Sequence, residues 1–275
     1  MTLDIHPIEN HREREKGVLV YPVYSRRSQG LSIGINLYPN KKNCNFDCPY
    51  CEIFPFSNNA AFSLQQLEED LRSCINNAKE QNIPIKDICF SGNGEPTLSP
   101  SLGPALKLAA QIRTELSPSA QLVLITNGTG LLKQEVFSLL KEASLGTEKL
   151  DIWLKVDAAT PEWYKKINRS EISFDELTAK IKEFVSVAPL TIQTMLCQIN
   201  GKAPPQEEAH EWNQLILELT KSNNIRKVQV YGKARPAPDD PISSFLLIEE
   251  LEDRAQALRN IFTDNGIAVS VDVYN

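Results

Sequence analysis

The sequence predicts an α/β fold, a partial or full (β/α) barrel of six or more βα units, and two observations lead to this prediction. First, short β-rich runs alternate along the chain with amphipathic helical stretches, the pattern of a parallel sheet with crossover helices. Second, several strands have a polar face, such as Lys155 and Asp157 in DIWLKVDA or Gln229 and Tyr231 in KVQVYGKAR. Strands covered by helices on both faces are apolar throughout, so a polar face predicts a barrel interior that is partly a site.

The elements follow from local patterns taken in chain order. Strands are predicted where β-branched and aromatic runs lie between turn residues, at 31–38, 85–91, 121–126, 150–158, 190–197, 227–231 and 267–274. The first helix has Ser63 as a predicted N-cap, followed by apolar residues at helical spacing that include Leu67, Leu71 and Ile75. The same spacing predicts later helices at about 101–116, 133–143, 173–187, 206–222 and 248–265.

Composition limits the class of protein. The 275 residues carry a net charge of −6 and are 41% hydrophobic, which excludes a disordered chain. We find no uncharged apolar run of membrane-spanning length, and the N-terminus is too polar for a secretory signal. We therefore predict a cytoplasmic location, no membrane partner and one domain over 1–275, in which segment 1–30 leads into the barrel.

The cysteines give the strongest local signal. Cys44, Cys48 and Cys51 follow the first predicted strand in the spacing C-x3-C-x2-C. Iron–sulfur clusters usually take four cysteines, so three would leave one iron open to another ligand. A structural zinc site with a distant fourth cysteine and a disulfide are the alternatives. The remaining cysteines lie singly in predicted helices or strands, where buried unreactive thiols are common; they are Cys74, Cys89 and Cys197.

The motif, with Tyr50 directly before its last cysteine, resembles the radical S-adenosylmethionine (radical SAM) superfamily. Three further segments follow in the order of that family's elements and extend the resemblance from about residue 25 to 235: FSGNGEPTL, ITNGTG and WLKVDA. The resemblance implies a [4Fe-4S] cluster on Cys44, Cys48 and Cys51, whose open iron chelates SAM. It also implies a low-potential electron donor, flavodoxin- or ferredoxin-like, and hydrogen abstraction from a substrate by a 5′-deoxyadenosyl radical.

The resemblance also implies SAM contacts. They are Tyr50 at the adenine, Gly92, Gly94 and Glu95 at the amino group, Thr126 and Asn127 at the ribose or carboxylate, Lys155 at the carboxylate, Asp157 at the ribose, and Gln193. Several of these positions also have a purely structural interpretation. Tyr50 would hold its loop, the glycines and Asn127 would form turns, and Lys155 would form an ion pair with Asp157.

Within the superfamily, the segment YPVYSRRSQGLSIGINLYPNKKNCNFDCPYC most resembles uncharacterised bacterial relatives of the enzymes that build the tricyclic wyosine base of tRNA. Those enzymes carry a second group of three cysteines before the motif, and residues 1–43 contain none. This difference and the acidic net charge disfavour wyosine synthesis itself. Basic residues that would line a rim for RNA or another anion are Arg26, Arg27, Lys41, Lys42, Lys233 and Arg235.

The substrate class stays open between an RNA base, a peptide and a small metabolite. The histidines lie outside every motif, so no histidine base is predicted; they are His6, His11 and His210. Cys197 could exchange a hydrogen atom inside the barrel, although a buried inert thiol is the simpler interpretation. Two further functions remain as alternatives: an enzyme that activates a partner protein by placing a radical on it, and a metal-binding protein without turnover.

Overall fold

The structure is a computed structural model that describes residues 17–237 and 240–274. This part of the chain divides into two compact units. The first unit comprises the described residues up to Cys44 together with Ile53–Thr126 and Ser138–Ile152. The second comprises Asn45–Glu52, Asn127–Phe137 and the described residues from Trp153 onward. The single-domain organisation stays a prediction.

Strands and helices alternate as the sequence predicts. The strands are β1 (Val20–Ser25), β2 (Gly30–Ile35), β3 (Ile85–Phe90), β4 (Gln121–Thr126), β5 (Leu150–Lys155), β6 (Leu190–Leu196), β7 (Gln198–Ile199), β8 (Ile225–Gly232), β9 (Ser243–Ser244) and β10 (Ser270–Tyr274). The helices are α1 (Leu64–Glu80), α2 (Leu102–Leu116), α3 (Gln134–Leu145), α4 (Pro161–Ile167), α5 (Phe174–Val185), α6 (Gln206–Thr220) and α7 (Ile248–Asp264), with short 3-10 helices at Pro96–Leu98 and Thr129–Leu132.

Eight strands form one sheet in the order β1-β2-β3-β4-β5-β6-β8-β10. The first pair, β1 with β2, is an antiparallel hairpin. The pairs β2–β3, β3–β4, β5–β6, β6–β8 and β8–β10 are parallel. Strand–helix–strand repeats with parallel neighbours produce this order. The predicted α/β fold is therefore confirmed, in the form of a partial barrel.

In the first unit, α1 packs through the apolar stripe that its sequence predicts. The Ser63 hydroxyl accepts a hydrogen bond from the Gln66 N–H and so caps the helix, as predicted. Leu67, Leu71 and Ile75 are fully buried. All six residues of β2 are buried as well, including Ser32, whose hydroxyl donates to the buried Asp87 carboxylate. The Ser32 hydroxyl on the polar face of this strand therefore has a hydrogen-bond partner inside the protein.

In the second unit, the predicted polar faces are buried too. Gln193 of β6 and Gln229 of β8 are fully buried, and the Gln193 Nε2 donates to the Gln229 Oε1 over 2.7 Å. Lys155 and Gln193 are register partners, as are Gln193 and Gln229. This hydrogen bond satisfies one buried atom of each amide, which would otherwise cost free energy, whereas the Gln229 Nε2 has no partner among the described residues. A row of polar side chains thus crosses neighbouring strands at one level.

The structure departs from the predicted elements in several places. β1 contains Pro22, which removes a donor and restricts the strand to a sheet edge, so its pattern is weak. α4 has only seven residues, too few for a periodic signal, although Thr160 caps it and Pro161 begins it. β2 ends at Ile35, β5 ends at Lys155 and β10 begins at Ser270.

Two predictions concern the histidines and membrane-spanning segments. Of the histidines, His6 and His11 lie outside the described residues. No helix within 17–237 or 240–274 combines the length and the apolar character that crossing a membrane requires.

Candidate cofactor-binding site

The cysteine motif lies in the long irregular segment between β2 and α1. Cys44 belongs to the first unit, and Cys48 and Cys51 belong to the second. All three are partly exposed, and the Cys51 N–H donates to the Cys48 carbonyl oxygen over 2.9 Å. The other three cysteines are buried, and none of the six, all within the described residues, forms a disulfide. The disulfide alternative therefore has no counterpart in the structure.

In the first unit, the glycine element holds the backbone directly before Cys44. The Asn43 N–H donates to the Asn93 carbonyl oxygen over 2.9 Å, and the Glu95 N–H donates to the Asn43 carbonyl oxygen over 2.8 Å. Gly94 has φ +156°, and a Cβ built there would lie 1.9 Å from the Asn43 oxygen. Only glycine fits such an approach. The tight turn predicted for this element is therefore present, and it fixes the residue that precedes the first cysteine.

Glu95 and Thr126, both predicted SAM contacts, meet in the first unit. The Glu95 side chain is buried, and its Oε1 accepts from the Thr126 Oγ1 and the Thr97 Oγ1, each over 2.6 Å. It also accepts from the Thr97 N–H over 3.1 Å and so caps the short helix Pro96–Leu98. These hydrogen bonds offset the cost of burying a carboxylate and fix its direction.

In the second unit, Asp157 connects several of the predicted residues. Its Oδ1 accepts from the Met195 N–H over 2.8 Å and lies 3.2 Å from the Lys155 Nζ. Its Oδ2 accepts from the Tyr50 hydroxyl and, over 3.4 Å, from the Asn168 Nδ2. The ion pair between Lys155 and Asp157 and the loop contact of Tyr50, both predicted as structural alternatives, are therefore present. The contacts of these three residues with SAM stay predictions.

Burial and charge shift the pKa values of this group. Burial lowers the pKa of Lys155, but the attraction of Asp157 and the interaction with Tyr231 outweigh it, so the net shift is upward. The Lys155 Nζ also lies 5.1 Å from the Tyr50 ring centre and 4.9 Å from that of Tyr231. Burial, reinforced by the charge of Asp157, raises the pKa of the Cys48 thiol to about 12. Lys155 therefore stays protonated as a largely buried cation, with 14% of its side chain exposed.

Asn127 binds Asn45, the residue directly after Cys44. Its Nδ2 donates to the Asn45 Oδ1 over 2.9 Å, and its Oδ1 accepts from the Thr129 N–H over 3.0 Å. Gly128, which follows, has φ +81°, as the predicted turn requires. Asn127 thus both forms the turn and binds the segment after Cys44.

Sequence reasoning missed Ser243, which binds the cysteine motif at Pro49. Ser243 of β9 donates its hydroxyl to the Pro49 carbonyl oxygen over 2.7 Å, and the Lys233 Nζ donates to the Ser243 Oγ over 2.7 Å. Arg235 forms an ion pair with Glu52 over 2.6 Å. The predicted role of Lys233 and Arg235 as rim cations is therefore corrected for Lys233, which is buried because it binds Ser243. No local pattern marks Ser243 in the sequence.

The donor set fits the iron–sulfur cluster that the motif implies. Thiolates are the usual cluster ligands, and the motif supplies three partly exposed thiols within one irregular loop. Among residues 17–237 and 240–274, no group of three or more His, Cys, Asp or Glu side chains surrounds a single ion position. In an iron–sulfur cluster each cysteine binds its own iron, so convergence on one point, as around zinc, is not required.

Comparison with known proteins agrees with the site. A family model described as the radical SAM superfamily matches residues 41–200, more than half of the chain. The chain belongs to this superfamily.

The chain is also similar to individual relatives and solved structures. A UPF0026 protein of Helicobacter pylori J99 is 34% identical over 167 residues, which are 57% of this chain and 51% of that protein. Streptococcus suis SuiB bound to S-adenosylmethionine has a similar structure, with a TM-score of 0.66 and 15% identity over 88% of this chain and 50% of SuiB. TYW1 with a lysine-pyruvate adduct has a TM-score of 0.53 and 14% identity over 83% of this chain and 73% of TYW1. The chain spans about half the length of the first two.

Proposed function

We propose that this chain is a radical SAM enzyme that binds a [4Fe-4S] cluster through Cys44, Cys48 and Cys51. The observation that carries the proposal is the cysteine motif itself: it lies within the family match, and the glycine element binds the backbone before its first residue. When bound, the cluster would supply the electron that cleaves SAM and yields a 5′-deoxyadenosyl radical. The electron would come from a low-potential donor of the flavodoxin or ferredoxin type.

The protein's own residues would bind and orient SAM. Glu95 offers a carboxylate whose direction Thr97 and Thr126 fix, which suits a cationic amino group. Lys155 offers a largely buried cation for a carboxylate. We keep the remaining predicted contacts as part of the proposal: Tyr50, Gly92, Gly94, Thr126, Asn127, Asp157 and Gln193.

The proposal assigns the reaction, which is hydrogen abstraction, but no substrate. SuiB and TYW1 share the fold at about 15% identity or below, and fold similarity alone does not transfer a substrate. An RNA base, a peptide and a small metabolite therefore remain alternatives, as does activation of a partner protein. The place of the chain among the relatives of the wyosine enzymes is a proposal as well.

Iron and sulfide content after anaerobic reconstitution tests the cluster assignment. We expect the wild-type chain to take up about four irons and four sulfides, and Cys44→Ala, Cys48→Ala and Cys51→Ala each to lose most of both. Cys89→Ala is the matched control, because this cysteine is buried in β3 outside the motif. Full clusters in all three motif variants would contradict the proposal, and would leave a protein that binds metal elsewhere.

SAM binding by calorimetry tests the glycine element separately. Glu95→Gln keeps the size of the side chain but removes its charge, so we expect at least about tenfold weaker SAM binding with unchanged iron content. Equal SAM affinity in this variant and the wild type would show that Glu95 does not face the amino group.

A further inference from the structure

A turn after α4 carries a buried asparagine that none of the predicted motifs includes. Asn168 ends α4, and its backbone N–H donates to the Tyr164 carbonyl oxygen over 2.9 Å. Its side chain is buried, with the residue 2% exposed. The next residue, Arg169, has φ +47°, a left-handed conformation that is uncommon for a residue other than glycine. Such a backbone conformation is retained where the surrounding contacts stabilise it.

The turn formed by residues 168–170 binds the cysteine loop through its backbone and side chains. The Asp47 N–H donates to the Asn168 carbonyl oxygen over 2.9 Å. The Ser170 hydroxyl donates to the Asn45 carbonyl oxygen over 3.2 Å, and the Arg169 Nη1 lies 3.6 Å from the Asp47 Oδ2. All of these residues belong to the second unit. The 168–170 turn therefore holds the segment that leads into Cys48.

The side chain of Asn168 reaches the cysteine itself. Its Nδ2 lies 3.7 Å from the Cys48 Sγ and 3.4 Å from the Asp157 Oδ2. The Oδ2 of Asp157 also accepts from the Tyr50 hydroxyl, so it acts as an acceptor and the amide must present its NH₂ group. The chemistry of the neighbours thus fixes the orientation of the amide. One NH₂ group joins a motif cysteine to the buried carboxylate.

We propose that Asn168 is a positioning residue that donates an N–H···S hydrogen bond to the Cys48 thiolate and raises the reduction potential of the cluster. The inference rests on the proposed function, because it requires a cluster on Cys48. Reduction adds negative charge that is shared with the ligand sulfurs. A hydrogen-bond donor at a sulfur therefore stabilises the reduced state more than the oxidised state, and outer-sphere donors set the potentials of such clusters. Reduction would consequently be harder without the amide.

The test is the midpoint potential of the reconstituted cluster in variants of Asn168, measured by potentiometric titration with electron paramagnetic resonance. Asn168→Leu keeps the size but removes both N–H donors, and Asn168→Ser is a smaller polar alternative that also cannot reach the sulfur. The control is Asn224→Leu, an asparagine of the same unit whose Nδ2 donates to the Val185 carbonyl oxygen. We expect the equilibrium constant for reduction to be about tenfold smaller in the Asn168 variants, which shifts the midpoint potential by about −59 mV for one electron.

The outcomes separate this inference from the proposed function. The role of Asn168 would be overturned if both variants had midpoint potentials within about 18 mV of wild type, which is about a twofold change in the reduction equilibrium. The cluster assignment would stay intact. An equal shift in Asn224→Leu would also overturn the role of Asn168, because the effect would then be a general response to losing a hydrogen-bonded amide side chain. If Asn168→Leu does not fold, Asn168→Ser decides alone. A wild-type chain without a cluster would overturn the proposed function and this inference with it.

Discussion

At the scale of single residues, the Asp157 side chain links several polar groups of the second unit. Its two oxygens have four partners, of which Lys155 carries a positive charge. Its side chain has no exposed surface, and that of Lys155 is 14% exposed. Removing one member of such a pair leaves a buried charge without its partner, which costs much more than the pair gains over an apolar replacement. Asp157 therefore has a large effect on stability before any cofactor is considered.

We expect Asp157→Asn to lower the free energy of unfolding of the apo chain by about 3 kcal/mol, because Lys155 loses its counter-charge. Denaturation by urea under anaerobic conditions measures the change. Asp272→Asn in β10 is the control, since Asp272 is partly exposed, and it should change stability by no more than about 0.5 kcal/mol. Equal small losses in both variants would show that the Lys155–Asp157 contact contributes little.

Two glycines of the first unit should respond in opposite directions to the same substitution. Gly94→Ala places a Cβ 1.9 Å from the Asn43 oxygen, so we expect a loss of at least about 2 kcal/mol and reduced iron uptake. Gly103→Ala in α2 places its Cβ 3.6 Å from Leu139, an ordinary contact, and should raise stability by about 0.5 kcal/mol. Thermal unfolding of both variants measures the two effects. A tolerated Gly94→Ala would contradict the close approach at Asn43.

At the scale of elements, the segment Asn45–Glu52 has little regular structure and depends on its neighbours. Asn127 binds it after β4, the 168–170 turn binds it after α4, and Ser243 of β9 binds it through Pro49. These groups all belong to the second unit but come from distant parts of the chain, so the segment is fixed by tertiary hydrogen bonds. Its geometry is therefore a property of the folded unit and not of the motif alone.

The loop after β5 has a similar support from α6. The Glu208 carboxylate accepts from the Ala159 N–H over 2.7 Å and the Thr160 N–H over 3.0 Å, at the residue that caps α4. Because Glu208 is buried, its pKa is raised above the ordinary 4.5, although the hydrogen bonds from Thr160 and Ala159 oppose this shift. Glu208 thereby fixes the start of the helix that ends at Asn168.

The raised pKa gives this support a pH dependence with a definite sign. Proton binding to Glu208 in the folded state contributes stability. This contribution is fully present below the ordinary pKa of about 4.5 and is lost as the pH rises through the folded-state pKa. We expect the wild type to exceed Glu208→Gln in unfolding free energy by an amount that shrinks as the pH rises above about 4.5. Urea denaturation of both chains across this range measures the difference. A difference that grows with pH would mean that Glu208 gains from being ionised in the folded state.

At the scale of the whole molecule, the alternation of strands and helices was enough to predict the α/β fold, because hydrophobic periodicity reports which face of each element is buried. The polar strand faces correctly indicated an interior with polar residues: Gln193 and Gln229 are fully buried, and the Lys155 side chain is 14% exposed. Short elements such as α4 were not predicted, because seven residues give no periodic signal.

The candidate site could be predicted only in part. Cys44, Cys48 and Cys51 are adjacent in sequence, so spacing alone identified them. Asn168 contacts Cys48 across 120 positions and Ser243 contacts Pro49 across 194. No local pattern encodes such pairings, because they arise only when loops after different elements meet. Sequence therefore indicated the proposed ligands, and the structure was needed to find the residues that contact their loop.

The most direct test of the central claim is the formation of 5′-deoxyadenosine, detected by mass spectrometry after the reconstituted chain is mixed anaerobically with SAM and dithionite. We predict that the wild type and Cys89→Ala form it and that Cys48→Ala, which lacks a ligand of the cluster, does not. A wild-type chain with a full cluster that neither forms 5′-deoxyadenosine nor binds SAM by calorimetry would contradict the claim.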